Sequence, residues 1–423
     1  MIILNEAYKL YNISDKLINI VENAEKELEF KFEEINNIAL YNQAKVLKAF
    51  NEARISQAHF GKTTGYGYND IGREAIEKVY ADVFKAEDAL VRVQFVNGTH
   101  AIATTLQALL MPNDTLLAIT GTPYDTLCEV IGIKESKKSL KSYGIKYDQI
   151  DLLENDDIDI QSVVNYLKEN KVKVIHIQRS RGYALRKAFE IDEIEEVVKA
   201  IRSVDKDVII MVDNCYGEFV ETKEPIEVGA DIVCGSLIKN IGGGLCETGG
   251  YIVGREDLIE LCAVTLTCPG IGKECGATMS QNRNMLQGIF MAPSTVKNAM
   301  MAAVLSAKVM EELGYETFPN SFADRADIVQ SIKFDNKEDL IKFIQGIQAA
   351  SPVDSHVTPY PWDMPGYDSQ VIMAAGTFID GASIELSADS PIREPYVAYM
   401  QGGLTYESAK LAICSAIQNM LRD

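Results

Sequence analysis

Asp213 follows the apolar run Val208–Val212, and Lys239 ends the segment Gly235-Ser236-Leu237-Ile238-Lys239, just past the run Asp231–Cys234. A lysine among small residues at the end of a strand cannot freely snorkel to water. Desolvation lowers a lysine pKa and populates the free amine, which forms a Schiff base with an aldehyde. A pyridine ring in turn needs an acid beside its nitrogen, because the protonated ring is the electron sink that stabilises a carbanion; this is the chemistry of pyridoxal 5'-phosphate (PLP). Each residue alone has an ordinary explanation, a helix cap for Asp213 and a surface charge for Lys239. Together, at the ends of neighbouring strands, they point to a PLP site.

Asn97-Gly98-Thr99-His100 offers a place for a phosphate. It follows the run Val91–Val96 and opens a helix over Ala101–Leu110. Glycine lets the backbone approach an anion, and the free N–H groups of a helix N-terminus bind phosphate. His100 either stacks on an aromatic ring or caps the helix. Gly242-Gly243-Gly244 is not a nucleotide loop, since a P-loop places its lysine after the glycines and Lys239 precedes them. The eight cysteines form no CxxC pair, and Cys262, Cys268 and Cys275 have no histidine at zinc-ligand spacing, so no metal site is read.

These residues need a scaffold. The runs Val91–Val96, Thr115–Ile119, Val172–Ile177, Val208–Val212, Asp231–Cys234 and Tyr251–Val253 alternate with longer helical stretches. Several are apolar throughout, as strands covered on both faces are. The alternation predicts an α/β fold with a mainly parallel sheet flanked by helices. Ahead of it, residues 5–54 carry apolar positions at helical spacing. Behind it, a helical region over Val296–Leu313 leads to Leu340–Gln348, Val371–Ile379, Ser383–Leu386 and Ser408–Leu421, which suit a small α+β domain. The expected organisation is an N-terminal helical arm (1–60), a large PLP-binding domain (61–295), and a linking helix with a small C-terminal domain (296–423).

A chain of 423 residues exceeds a single core, and its 47% hydrophobic and 24% charged content is that of a globular protein. The net charge of −20 argues against nucleic acid, whose backbone is bound by Lys and Arg, and against an anionic membrane surface. No apolar run is long enough to span a bilayer, and the N-terminus lacks the basic start of a signal peptide. With scattered cysteines read as reduced thiols, a cytoplasmic protein is expected.

Six segments carry a resemblance: Gly65-Tyr66-Gly67-Tyr68 with Gly72-Arg73, Gly121-Thr122-Pro123-Tyr124-Asp125-Thr126-Leu127, Val212-Asp213-Asn214, Ser236-Leu237-Ile238-Lys239-Asn240, Thr267-Cys268-Pro269-Gly270-Ile271-Gly272 and Glu385-Leu386-Ser387-Ala388-Asp389. As a set they resemble the fold-type I PLP enzymes of cysteine and methionine metabolism, the transsulfuration group. Within it they are similar to the bacterial branch labelled methionine gamma-lyase-like, cystathionine beta-lyase-like or aluminium resistance protein. The resemblance implies the fold-type I PLP-dependent transferase fold, with a seven-stranded large domain, and a homo-oligomer, either a dimer with shared active sites or a tetramer. It implies that Lys239 forms the aldimine, Asp213 pairs with the pyridine nitrogen, Ser236 hydrogen-bonds the phosphate, and Gly98 and Thr99 offer it backbone N–H groups. Tyr124 would cover the ring face and act as an acid near the leaving group. The implied reaction is carbon–sulfur cleavage in a small-molecule amino acid of the cystathionine, methionine or cysteine type, by β- or γ-elimination. A PLP aldolase or aminotransferase would keep Lys239 and Asp213, and the branch label also admits a non-catalytic metal-tolerance protein.

The chain departs from the wider group at two places. That group has a Tyr-x-Arg pair before the sheet; here Tyr66 and Tyr68 lie near that place and the arginine comes later as Arg73, so these three are expected to reach the cofactor phosphate of a neighbouring subunit. The group also has an arginine before a Leu-Ser pair, where this chain has Glu385. Arg393 is the expected replacement, because a planar bidentate donor suits a substrate carboxylate.

Overall fold

Seven strands build the sheet that carries Asp213 and Ser236. In the computed structural model, which describes residues 2–364 and 369–421, they are β1 (Asp88–Arg92), β2 (Thr115–Ala118), β3 (Lys146–Gln149), β4 (Val174–Gln178), β5 (Ile209–Asp213), β6 (Ile232–Ser236) and β7 (Gly250–Gly254). Their order is β1-β7-β6-β5-β4-β2-β3. The pairs from β6 through β3 are parallel, and β7 runs antiparallel to both of its neighbours. The central strands β4, β5 and β6 are buried at every position, which is why they read as unbroken apolar runs. The edge strand β3, Lys-Tyr-Asp-Gln, alternates between exposed and half-buried positions and is absent from the sequence reading for that reason. The first strand lies earlier than expected: β1 spans Asp88–Arg92 where the run Val91–Val96 was expected, and Val96 is 73% exposed in the turn before the helix Gly98–Leu109.

This sheet lies in a unit of residues 42–291; a second unit comprises residues 1–41 and 292–423. The second unit holds five antiparallel strands, β8 (Glu316–Phe318), β9 (Gln330–Phe334), β10 (Val371–Ala374), β11 (Ser387–Pro391) and β12 (Tyr396–Gln401), in the order β10-β11-β12-β9-β8. The first 41 residues group with this unit. The helix Asp15–Glu27 buries Leu17, Ile18, Val21 and Ala24, and Glu25 accepts hydrogen bonds from Tyr406 Oη (2.7 Å) and Lys410 Nζ (2.6 Å). The helix Glu29–Glu52 then runs across the boundary. Ser383–Leu386 is not a strand: the Glu385 carboxylate accepts the backbone N–H groups of Phe378 (2.8 Å) and Ile379 (2.9 Å), which folds that stretch into a loop ahead of β11. Among the described residues no helix is long and apolar enough to cross a membrane.

Candidate active site

Parallel strands deliver their C-terminal ends to one side of a sheet, and that is where ligands bind in open α/β sheets. Asp213 is the last residue of β5. Lys239 lies just past β6, where it caps the short helical turn Asn240–Gly242. Asp213 is buried and Lys239 half-buried, and each acts on the other's ionisation. Asp213 Oδ1 accepts the Cys215 N–H at 3.1 Å, which fixes the carboxylate at the strand end.

A cradle adjoins them. Asn97 caps the helix Gly98–Leu109 by accepting the His100 N–H at 2.9 Å. A β-carbon at Gly98 would stand 2.9 Å from Ser236 Cβ and 3.6 Å from Cys215 Sγ, so only glycine allows this close approach. Ser236 Oγ is buried with no hydrogen-bond partner, an arrangement a native fold keeps only where something else takes the bond. An unpartnered hydroxyl against a helix N-terminus suits a phosphate oxygen. Tyr124 completes the group, with its N–H donating to Gln178 Oε1 (3.0 Å) and its hydroxyl to Thr99 Oγ1 (3.0 Å). The residues present therefore fit PLP: a lysine, a buried acid, a phosphate cradle and a phenol.

The electrostatics correct one expectation. Burial alone pulls the Lys239 pKa down, but the groups that face it, Cys215, Tyr216, Asp213 and Tyr124, raise it when they are ionised, and together they set it above that of an ordinary lysine. Burial pushes both the Cys215 thiol and the Tyr124 phenol up, so both are neutral at pH 7. Asp213 is then the anion that holds the ammonium, although burial raises its own pKa. Without a ring nitrogen to engage Asp213, Lys239 rests as a cation and not as the free amine that burial alone suggests.

The remaining expected residues divide. Arg73 is 2% exposed and donates to the backbone carbonyls of Gly67 (2.6 Å), Gly276 (2.9 Å) and Glu274 (3.2 Å). Through Nη1 and Nη2 it braces its own chain, while its Nε is buried without a partner. Tyr66 and Tyr68 are 71% and 56% exposed, and their rings stack at 5.5 Å on the loop that Arg73 holds. Gly67 in this loop has φ 62°, and a β-carbon there would meet Ala277 N at 2.8 Å. His100 acts as a cap: its Nδ1 accepts the Val96 N–H at 3.1 Å, and its ring meets Phe95 edge-on. Arg393 lies in the other unit, exposed between β11 and β12.

Three residues at the site escape the sequence reading. Tyr216 places its ring 3.9 Å from Lys239 Nζ. Gln178 orients Tyr124 through its backbone, and Arg179, fully buried, donates to Asn214 Oδ1 (2.8 Å) and Gly217 O (2.9 Å) behind Asp213. The run Asn214-Cys215-Tyr216-Gly217 directly after Asp213 was the available signal, but nothing in it states where the ring turns.

The structure is similar to that of a provisionally named cystathionine beta-lyase involved in aluminum resistance from Clostridium acetobutylicum, with a TM-score of 0.96 and 50% identity over 100% of this chain and 99% of that one. It is similar to a carbon-sulfur lyase involved in aluminum resistance from Clostridium novyi NT, with a TM-score of 0.95 and 49% identity over 99% of each chain. The uncharacterized protein YnbB of Bacillus subtilis is 51% identical over 391 residues, 92% of this chain and 93% of YnbB. A cystathionine gamma synthase from Xanthomonas oryzae, at 14% identity and a TM-score of 0.55 over 82% of this chain and 86% of that one, shares the fold, that of the fold-type I PLP enzymes. The sequence profile of the methionine gamma-lyase family matches residues 17–421, and the chain belongs to that family.

Proposed function

We propose that the protein is a PLP-dependent carbon–sulfur lyase acting on a sulfur amino acid. The observation that carries this reading is the pairing of buried Asp213 with half-buried Lys239 beside the unpartnered Ser236 hydroxyl. Ser236 Oγ and the N–H groups of Gly98 and Thr99 would hold the phosphate, Asp213 the ring nitrogen, and Lys239 the carbonyl carbon. Bound PLP supplies an acceptor for the electron pair left when Cα loses its proton.

Asp213, once paired with a protonated ring nitrogen, no longer holds the Lys239 proton, and burial then carries Lys239 toward the free amine. In that form Lys239 takes the Cα proton of the substrate. Tyr124 stays a phenol at neutral pH and hands a proton to the departing sulfur, so the products are a thiol and an unsaturated amino acid that hydrolyses to a keto acid and ammonia. Tyr66 and Tyr68, exposed on their braced loop, are proposed to reach the site of a second copy in a homo-oligomer. Mixing Lys239→Ala with the double variant Tyr66→Ala, Tyr68→Ala is expected to restore about a quarter of full activity through hybrid dimers. No recovery, with hybrids demonstrated, would remove the shared site. The eight thiols are all free, as a cytosolic protein keeps them.

The test is incubation of the PLP-loaded protein with cystathionine, methionine and cysteine, assaying thiol and keto acid. Stoichiometric release of both from at least one substrate is expected. Keto acid without thiol, with the amino group passed to an added acceptor, would make the protein an aminotransferase instead.

A further inference from the structure

Tyr216 is a bulky residue in left-handed backbone, φ 73°, and Phe219 in the same turn has φ 63°. A β-carbon makes that conformation costly, and it persists only where the surroundings enforce it. Here the enforcement is visible. Gly217 N donates to Asn214 O at 2.9 Å, closing the turn, and Arg179 grips Asn214 Oδ1 and Gly217 O. Phe219 N donates to Glu224 Oε1 (2.9 Å), and Asn42 Nδ2 donates to Phe219 O (3.1 Å). Asn240, the residue after Lys239, donates from Nδ2 to Glu218 O at 3.2 Å, so the lysine segment and the strained turn are tied together. Asp213 needs none of this strain, since it sits on β5 in ordinary extended backbone. What the strain accomplishes is the placement of an aromatic face 3.9 Å from Lys239 Nζ, within the range where a ring attracts an ammonium.

We propose that the Tyr216 ring is the seat of Lys239 whenever Nζ is not bonded to the cofactor, and that it thereby favours displacement of the lysine by the amino group of the substrate. The inference rests on the reading of Lys239 as the cofactor-binding lysine. In the exchange, the incoming nitrogen forms its bond to the cofactor carbon as the bond to Nζ breaks, and the proton carried in on the substrate ammonium ends on Nζ. A positive charge therefore arises on the lysine at the moment of its release, and Nζ gives that proton up before it acts as the base at Cα. The titratable groups around Nζ are Asp213, Cys215, Tyr124, Tyr216 and Glu218. In the loaded protein Asp213 is engaged by the ring nitrogen, and burial keeps Cys215, Tyr124 and Glu218 protonated. The Tyr216 face is what remains to receive the new charge.

The test titrates the PLP-loaded protein with an α-methyl amino acid, which has no Cα proton to lose, and reads displacement of Lys239 from the visible spectrum without turnover. Tyr216→Phe keeps the ring and is expected to match the wild type to within about twofold, whereas Tyr216→Leu lowers the displacement constant about 3- to 30-fold. Tyr216→Gly accepts φ 73° without strain; it is expected to share the loss while unfolding at no lower temperature than the wild type, which separates the seat from the fold. Equal displacement in wild type, Phe and Leu variants would overturn the inference and leave the lyase reading intact. A loss in the Phe variant as large as in the Leu variant would also overturn it, since the ring would then not be the agent. A wild-type protein that takes up no cofactor would bring down the lyase reading and this inference with it.

Discussion

Two clusters of largely buried charge in the unit 42–291 start from the same material and are finished differently. Around residues 273–277, five successive backbone carbonyls accept side-chain donors: Lys273 O from Arg92 (3.0 Å), Glu274 O from Arg73 (3.2 Å), Cys275 O from Arg92 (2.7 Å), Gly276 O from Arg73 (2.9 Å) and Ala277 O from Gln94 (2.7 Å). Arg92 engages all three of its nitrogens, since Nε pairs with Glu77 at 2.7 Å. At the ends of β5 and β6, by contrast, Lys239 and Asp213 balance each other's charge while Ser236 Oγ has no partner. Arg92, whose donors are all taken up, holds backbone in place, although Arg73 Nε beside it has no partner. A charge set beside the unpartnered Ser236 hydroxyl at the ends of parallel strands is arranged for something that binds.

The sharpest way to break the comparison is to remove a charge from each cluster. Arg92→Ala leaves Glu77 buried without its main partner and frees the carbonyls of Lys273 and Cys275, and it is expected to cost about 3–5 kcal/mol of stability by denaturant titration. A loss below 1 kcal/mol would mean the arginine cluster does not hold the fold. Asp213→Asn is expected to lower turnover about 10- to 150-fold, the equivalent of roughly 1.5–3 kcal/mol, because an amide cannot keep the ring nitrogen protonated. Steady-state kinetics near the wild-type rate would contradict the electron-sink role.

A smaller effect sharpens the contrast through pH. Burial raises the Glu218 carboxyl to about 8 from an ordinary 4.5, and its Oε1 accepts the Tyr251 hydroxyl at 2.8 Å. Between those values the folded chain keeps a proton that the unfolded chain has released, so stability falls as pH rises through the window. Glu218→Gln removes that proton from the balance, and the slope of stability against pH between 4.5 and 8 is expected to lessen by about 1.4 kcal/mol per pH unit. Chemical denaturation across that range gives the slopes directly; identical slopes would show that Glu218 is ionised when folded.

Asp213, Ser236 and Lys239 were readable as strand-end positions because β5 and β6 are buried at every position; the run before Gly98 is partly exposed, and Gly98 was readable only from the turn it makes before a helix. The edge strand β3 was not, since a strand with one neighbour has no need to be apolar. The bracing bonds of Arg73 were not legible, because the carbonyls that take its Nη donors, at Glu274 and Gly276, lie about 200 residues further along the chain. The raised Lys239 pKa was hidden for a related reason: burial can be inferred from neighbours in sequence, whereas opposing charges come from other strands. Tyr216 was invisible because a left-handed backbone in a non-glycine residue is imposed by the turn's surroundings, Arg179 and Asn240 among them, and not by its own preference.

The central claim is that Lys239 is the residue that bonds the cofactor. Supplying PLP, reducing with borohydride and mapping the labelled peptide tests it without reference to any substrate. The account predicts one pyridoxyl adduct, on the peptide containing Ser236-Leu237-Ile238-Lys239, and none in Lys239→Ala. An adduct on another lysine, or no adduct in the wild type at saturating PLP, would contradict it.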